Sequence, residues 1–209
     1  AAARLLLVDR SRGDRRLLTG GGAGRGAPLE DPVAVVVDAS RGRALVADHG
    51  TLAVVAVDLS TGERRILSSD EPGLGPPLLG PAAIAIHPDG VRAWVVDLAE
   101  QDRRRVVVEI DLATGVRRER AELYDVSEIP EVPAAIAVDP LADRLLVSNG
   151  TLVSMEIGSG ELAVVDGDDD ITHAFAFDPV DRVFVYPRTW VPDLVVLDAL
   201  TAEHVVVSR

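Results

Sequence analysis

The sequence predicts an all-β protein, specifically a β-propeller built from four-stranded antiparallel blades. Three observations support this fold class: the chain contains repeated units, each unit holds four short apolar runs, and Asp, Gly and Pro separate the runs. Short runs rich in Val and Ile between such turn residues are typical of strands. Four strands in each repeat of roughly 40–50 residues are typical of a propeller blade.

The repeats are visible in the way each unit opens. The complete units begin at Pro32, Pro81, Pro133 and Thr172. The second unit contains "PAAIAIH", "VRAWVVD", "RRVVVEID" and "VRRERAEL", which we label strands a, b, c and d. Strand a is small and apolar, which suits a crowded innermost position. Strand d carries Arg117, Arg118 and Arg120, which suits a solvent-facing outer edge.

The first 31 residues hold only strands c and d. When Asp9 is placed on Asp58, "LLLVDRSRGDRRLLT" aligns with "VVAVDLSTGERRILS". We therefore predict one propeller domain over residues 1–209 with about four and a half blades. The partial blade covers 1–31, and the complete blades cover 32–80, 81–132, 133–171 and 172–209. We expect a fragment of a longer, six-bladed propeller, and a complete small propeller with an incomplete blade is the alternative.

The composition excludes several classes of partner. The 209 residues carry a net charge of −13 and no cysteine. Such a surface repels phosphate backbones and anionic lipids, so we expect no nucleic-acid partner. No apolar run approaches the ~18 residues of a spanning helix, so we expect no membrane span. Without cysteine, disulfides and thiolate metal sites are excluded.

The phrase "VVAVDLSTGERRILSS…GLGPPLLGPAAIAIHP" resembles the repeats of bacterial NHL-like propellers. Those propellers look related in turn to the six-bladed, TolB-like regucalcin and gluconolactonase propellers. The resemblance covers essentially the whole chain. It implies a non-catalytic binding or scaffold module in a bacterial protein that is secreted, periplasmic or part of the cell envelope, with a partner that is a small molecule or a protein. The remaining blades of a longer chain are further expected partners.

The gluconolactonase branch implies a second hypothesis, a metal-dependent hydrolase acting on lactones or esters. That family holds a calcium-type ion near the entrances of strand a. The matching positions here read Pro-Val-Ala, Pro-Ala-Ala, Pro-Ala-Ala and Thr-His-Ala. Alanine offers none of the roughly six oxygen ligands that a hard cation takes. No cofactor is evident, and Ca²⁺ or another divalent cation is the alternative. A sensor or carrier domain of a longer protein is a third hypothesis.

The candidate binding residues follow strand b or precede strand a, on one predicted face of the propeller. They are Asp48, His49, Asp97, Asn149 and Trp190. Asp48, Asp97 and Asn149 stand at equivalent positions and could together coordinate a ligand. The alternative is that each of them ends strand b and starts a turn. No catalytic residue is predicted, because no Ser or His lies in a recognisable nucleophile motif.

The stretch "VDGDDDITH" contains the candidate metal ligands, which are Asp166, Asp168, Asp170 and His173. An EF-hand loop would need Gly where Ile171 stands and Glu where Phe177 stands. Repeat alignment instead makes this stretch a short connector between strand d and the next strand a. The glycine-rich "GGGAGRG" of residues 20–26 lacks the Lys-Ser/Thr of a phosphate loop. It aligns with the same kind of connector.

Overall fold

The computed structural model describes residues 3–71, 73–99, 104–123, 135–148, 152–166, 175–187, 194–198, 201 and 203–208. These residues form five antiparallel sheets, each made of strands that are consecutive in the chain. One sheet has two strands and four sheets have four strands. The predicted fold class is therefore confirmed, with about four and a half blades present.

The two-stranded sheet, here called the half-blade, contains β1 (Arg4–Val8) and β2 (Arg15–Gly20). Blade 1 contains β3 (Pro32–Asp38), β4 (Arg43–Asp48), β5 (Ala53–Asp58) and β6 (Arg64–Ser68). Blade 2 contains β7 (Pro81–Ile86), β8 (Arg92–Ala99), β9 (Arg104–Asp111) and β10 (Arg117–Glu122). Blade 3 contains β11 (Ala135–Asp139), β12 (Arg144–Ser148), β13 (Leu152–Glu156) and β14 (Leu162–Asp166). Blade 4 contains β15 (Ala176–Asp178), β16 (Val183–Pro187), β17 (Leu194–Asp198) and β18 (His204–Ser208).

Within each complete blade the strands lie in chain order, as a meander of hairpins. The first strands of successive blades are neighbours, because β3 contacts β7 and β7 contacts β11. The strands a of blades 1, 2 and 3 therefore lie side by side, which agrees with the innermost position that their small apolar side chains indicate. The described residues contain one short 3-10 turn, Ala39–Arg41, between β3 and β4.

The core consists of apolar layers between neighbouring blades. Leu45 and Val54 of blade 1 pack in one buried cluster with Ile84 and Val95 of blade 2. A second cluster joins blade 2 to blade 3, and it includes the fully buried Trp94. Burying each large aliphatic side chain stabilises the fold by roughly 1.5–3 kcal/mol. Each blade thus needs a neighbour on both faces to bury its apolar side chains.

The turns between strands c and d follow one pattern. In blade 1, Asp58 Oδ1 accepts hydrogen bonds of 2.8 Å from the backbone N–H groups of Ser60 and Thr61. Gly62 closes the turn at φ 74°, and a Cβ there would lie 2.0 Å from the Leu18 carbonyl oxygen of the half-blade. Aspartate opens such turns by binding its own downstream backbone, and glycine tolerates positive φ.

Candidate functional site

The ends of strands b and the connectors before strands a lie together on one face, here called the connector face. In blade 1 the end of β4 contacts residues 30 and 31, and in blade 2 β8 contacts residues 79 and 80. Among the predicted binding residues, Asp48, His49 and Asp97 lie on this face within the described part of the chain. Their surroundings show what each of them does.

Asp48 is fully buried at the end of β4. Its Oδ2 accepts a 2.9 Å hydrogen bond from the backbone N–H of Glu30, and its Oδ1 accepts one of 3.2 Å from that of Asp31. Oδ1 also accepts bonds from the N–H and the hydroxyl of Thr51, at 2.9 and 3.1 Å. The carboxylate thus joins the connector before β3 to the turn after β4.

Asp97 repeats this arrangement one blade later. It is 2% exposed, and its Oδ2 accepts a 2.9 Å hydrogen bond from the Leu79 N–H. Its Oδ1 accepts a 2.9 Å bond from the Gly80 N–H. Burial raises the pKa of the Asp97 carboxyl, and the hydrogen bonds from Leu79 and Gly80 oppose that rise. Like Asp48, Asp97 holds the connector that leads into its own blade.

His49 lies between two connectors. Its backbone N–H donates a 2.8 Å hydrogen bond to the carbonyl oxygen of Asp31. A Cβ built on Gly80 would lie 3.3 Å from the His49 imidazole, so the half-buried ring lies against the connector of blade 2. The contacts of His49, Asp48 and Asp97 agree with the alternative that these residues shape turns. Their role in binding a ligand stays a prediction.

The other predicted site residues are only partly visible. Asn149, Trp190, Asp168, Asp170 and His173 lie outside the described residues. Asp166 is the last residue of β14, and its backbone pairs with Leu152. Within the described ranges, no group of three or more His, Asp or Glu residues could hold a metal ion. The cation site at "VDGDDDITH" therefore stays a prediction.

The arginines that begin two strands d, Arg64 and Arg117, bind the preceding connector, a contact that the repeat pattern does not predict. The sequence predicts a solvent-facing position for Arg117, but the residue is 2% exposed. Its Nε donates a 2.6 Å hydrogen bond to the carbonyl oxygen of Pro76, and its Nη1 donates one of 2.7 Å to Ser68 Oγ. The side chain reaches back to the preceding connector, so the outer-edge prediction is wrong for this residue. The carbonyl oxygens around it make its burial tolerable.

Arg64 makes the same contacts one blade earlier. Its Nε donates a 2.6 Å hydrogen bond to the carbonyl oxygen of Ala27, and its Nη1 donates to Thr19 Oγ1. A Cβ on Gly26 would lie 1.9 Å from the Arg64 carbonyl oxygen. The glycine-rich residues 20–26 are therefore a connector that lies against strand d, as the repeat alignment predicts.

A second set of charges joins the opposite ends of the strands. Arg43 Nε lies 2.8 Å from Asp38 Oδ2, and Arg43 Nη2 donates to the Leu112 carbonyl oxygen of blade 2. Although burial opposes it, the hydrogen bonds from Ser40 and Arg43 hold the pKa of Asp38 below its usual value. In blade 3, Asp139 binds Arg144 at 3.1 Å and Arg182 of blade 4 at 2.6 Å. These ion pairs explain why a buried carboxylate ends strand a in blades 1 and 3.

Comparison with solved structures identifies proteins that have a similar fold. No protein-family profile and no curated protein matches the sequence. A chain in the crystal structure of a nidogen/laminin complex is similar in structure, with a TM-score of 0.73 and 13% identity. The similarity covers 94% of this chain and 68% of that one.

The fold is a β-propeller. TolB from Acinetobacter baumannii is similar with a TM-score of 0.67 and 14% identity, over 99% of this chain and 49% of TolB. Kuenenia stuttgartiensis hydrazine synthase is similar with a TM-score of 0.62 and 16% identity, over 90% of this chain and 52% of that one. The propeller chain thus spans about half to two thirds of the length of these structures. Among its described residues, no helix is long and apolar enough to cross a membrane.

Proposed function

We propose that this propeller is a non-catalytic binding or scaffold module of a bacterial protein that is secreted or belongs to the cell envelope. The observation that carries the proposal is that Asp48 and Asp97 bind the backbone of the connectors. Both carboxylates are buried and accept hydrogen bonds from connector backbone N–H groups. A carboxylate engaged in this way makes a rigid frame and is a poor ligand for a catalytic cation.

The frame leaves other groups of the connector face open to a partner. Glu30 and Asp31 are exposed although Asp48 fixes their backbone, and Leu79 is 49% exposed although Asp97 fixes its backbone. Because the connector backbone is already fixed, a partner need not order it on binding, and that part of the entropic cost is avoided. A propeller in a nidogen/laminin complex and one in TolB have the same fold. The bacterial envelope location rests on the resemblance to NHL-like and TolB-like propellers.

A hydrolase assay separates this proposal from the lactonase alternative. The purified chain is incubated with five- and six-membered lactones in the presence of Ca²⁺, Mn²⁺ or Zn²⁺, and then with a chelator. We expect no hydrolysis above the buffer rate under any of these conditions. Metal-dependent hydrolysis that the chelator removes would show an enzyme and contradict the proposal.

A site-specific cross-linking experiment tests binding at the connector face. A photoreactive amino acid replaces Leu79, and a matched control places it at Val91, which is 51% exposed and directly precedes β8. After irradiation with a bacterial envelope extract, we expect a discrete adduct from position 79 and none from position 91. Equal adducts from both positions, or none from either, would contradict a binding role for this face.

A further inference from the structure

A recess of about 370 Å³ lies on the face that carries the a–b and c–d turns of blade 1, here called the turn face. Volumes of roughly 300–1,000 Å³ are typical of small-molecule sites. The recess lies at the strand ends opposite the connector face, so it does not depend on the proposed function. Its charged lining residues are Arg41, Arg43, Asp58, Glu63, Arg64 and Arg65.

The strand register places several of these side chains on one face of the sheet. Arg43 of β4 pairs with Asp58 of β5, and the backbone N–H of Asp58 donates to the carbonyl oxygen of Glu63. Two residues before Asp58, Ala56 pairs with Arg65 of β6. Residues directly opposite each other on antiparallel strands share a face of the sheet, and so do residues two apart on one strand. Charged side chains thus surround Ala56, whose small side chain leaves the space of the recess.

Arg43 is a fixed cation in the wall of the recess. The residue is 4% exposed, its Nε lies 2.8 Å from Asp38 Oδ2, and its Nη2 donates a 3.2 Å hydrogen bond to the Leu112 carbonyl oxygen. Among the described residues its Nη1 has no acceptor, although this nitrogen is open to solvent. A guanidinium held on two sides keeps one nitrogen for a ligand and has little freedom left to lose on binding.

Arg65 and Glu63 bring charges without a partner to the same recess. Both are exposed, and within the described ranges neither side chain has a hydrogen bond or an ion pair. Arg64, which lies between them, is engaged elsewhere, because its guanidinium binds Ala27 and Thr19. The recess therefore offers unpaired donors on two arginines and an unpaired acceptor on Glu63.

The charges of the recess favour a ligand with one carboxylate and one ammonium group. Residues 1–66 hold ten arginines and eight acidic residues, although the whole chain has a net charge of −13. A locally positive surface concentrates anions, and guanidinium groups bind carboxylates through paired hydrogen bonds. Asp58 and Glu63 repel a dianion such as phosphate, but they attract an ammonium group. A zwitterion meets both requirements.

We propose that the turn-face recess binds a free α-amino acid, with its carboxylate on Arg43 and Arg65 and its ammonium group on Glu63. Each charge of the ligand then gains a counter-charge. A simple acid would leave Glu63 unpaired beside its own negative charge, and a simple amine would leave the arginines unpaired.

The probe is L-leucine, and NMR spectra of the arginine Nε–H groups report its binding to the chain. We expect the Arg65 signal to shift saturably, with a Kd on the order of 1 mM or lower. Isocaproate lacks the ammonium group of leucine and L-leucinamide lacks the carboxylate, so each should bind at least tenfold more weakly. An absence of a saturable shift overturns the proposal. Equal or tighter binding of isocaproate or of inorganic phosphate also overturns it.

Variants of the chain locate the site. Arg65→Gln removes a guanidinium and should raise the Kd of L-leucine at least tenfold. Glu63→Gln should do the same, because it removes the counter-charge of the ammonium group, but it should not raise the Kd of isocaproate. The control Arg118→Gln, at the equivalent exposed position of β10 in blade 2, should leave the Kd of L-leucine within twofold. Equal effects of the site and control variants overturn the proposal, as does a Glu63→Gln variant that weakens both ligands equally.

Discussion

Arg117 donates a 2.7 Å hydrogen bond from Nη1 to Oγ of Ser68, which lies 49 residues earlier in the chain. The same guanidinium donates from Nε to the carbonyl oxygen of Pro76. One side chain at the start of β10 thus holds the end of β6 and the connector that follows it. Arg64 binds Thr19 in the same way, so the contact recurs at the two boundaries between the half-blade, blade 1 and blade 2.

Replacing Arg117 with Ala should destabilise the chain by about 3 kcal/mol, because buried carbonyl oxygens each lose a donor at a cost of roughly 1–3 kcal/mol. Arg118 is the control, since it is exposed next to Arg117 on β10. Arg118→Ala should change the free energy of unfolding by less than about 0.5 kcal/mol. Urea unfolding followed by circular dichroism measures both variants. Equal losses would show that the contacts of Arg117 add nothing to stability.

The connector that Arg117 holds also needs glycine at one particular position. Gly75 has φ 104°, and a Cβ there would lie 2.3 Å from the Arg117 carbonyl oxygen. Gly73 has φ 93° but meets nothing within 4 Å. Alanine at either position is strained by roughly 1–2 kcal/mol, and at Gly75 it also forces two backbones apart.

We therefore expect Gly75→Ala to lower the free energy of unfolding by at least about 2 kcal/mol more than Gly73→Ala does, which is a large effect for one methyl group. Urea unfolding of the two variants measures the difference. Because both positions have positive φ, backbone strain is common to them and the difference reports the close approach. Similar losses for the two variants would mean that the connector can move away from strand d.

The repeat alone predicted the blades, because each strand is a short aliphatic run between Asp and Gly turns. The turn role of Asp58 and Gly62 and the connector role of residues 20–26 also followed from alignment of the units. The burial of Arg117 did not. Its partners include the carbonyl oxygens of residues 69 and 76. Every residue has a carbonyl oxygen, so the sequence does not indicate which of them accept a hydrogen bond from Arg117. An arginine at a strand start therefore looked like a solvent-exposed charge.

The repeat predicts where Asp48 and Asp97 lie but not what they contact. Repeat alignment placed Asp48 and Asp97 at equivalent ends of strand b, and the structure places both beside connectors. The sequence could not distinguish a carboxylate that faces a ligand from one that accepts backbone N–H groups. That distinction depends on how the connector before strand a folds back over the end of strand b. The fold of the connector is not encoded in the repeated strand residues.

Asp97 should make the stability of the chain depend on pH. Burial raises its pKa above the ordinary value of 3.8, so the folded state binds the proton more tightly than the unfolded state does. Its contribution is therefore greatest below about pH 4 and is lost as the pH rises through the folded pKa. Asp97→Asn retains an acceptor oxygen and does not titrate. The stability of the native chain relative to this variant should fall between pH 4 and neutrality.

Urea unfolding of the native chain and Asp97→Asn at several pH values between 4 and 7 measures this trend. Asp97→Ala is the control, since it removes the acceptor of the Leu79 and Gly80 N–H groups. It should be destabilised at every pH, by roughly 1–3 kcal/mol for each unsatisfied group. A relative stability that rises with pH would contradict the raised pKa of Asp97.

Asp58 should titrate in the opposite direction. Hydrogen bonds from the hydroxyl of Ser60 and the N–H groups of Thr61 and Ser60 lower its pKa from 3.8 to about 2. A folded-state pKa below the unfolded one stabilises the fold above about pH 4, and this stabilisation is lost as the pH falls through about 2.

Carbon-13 NMR titration of the Asp58 carboxyl measures the pKa directly. Ser60→Ala removes the largest cause, so we expect the pKa of Asp58 to move back toward 3.8. The control Ser159→Ala removes a hydroxyl that binds Glu156 in the corresponding turn of blade 3 and should leave Asp58 unchanged. If Ser60→Ala also leaves the pKa unchanged, the hydroxyl of Ser60 does not hold this turn.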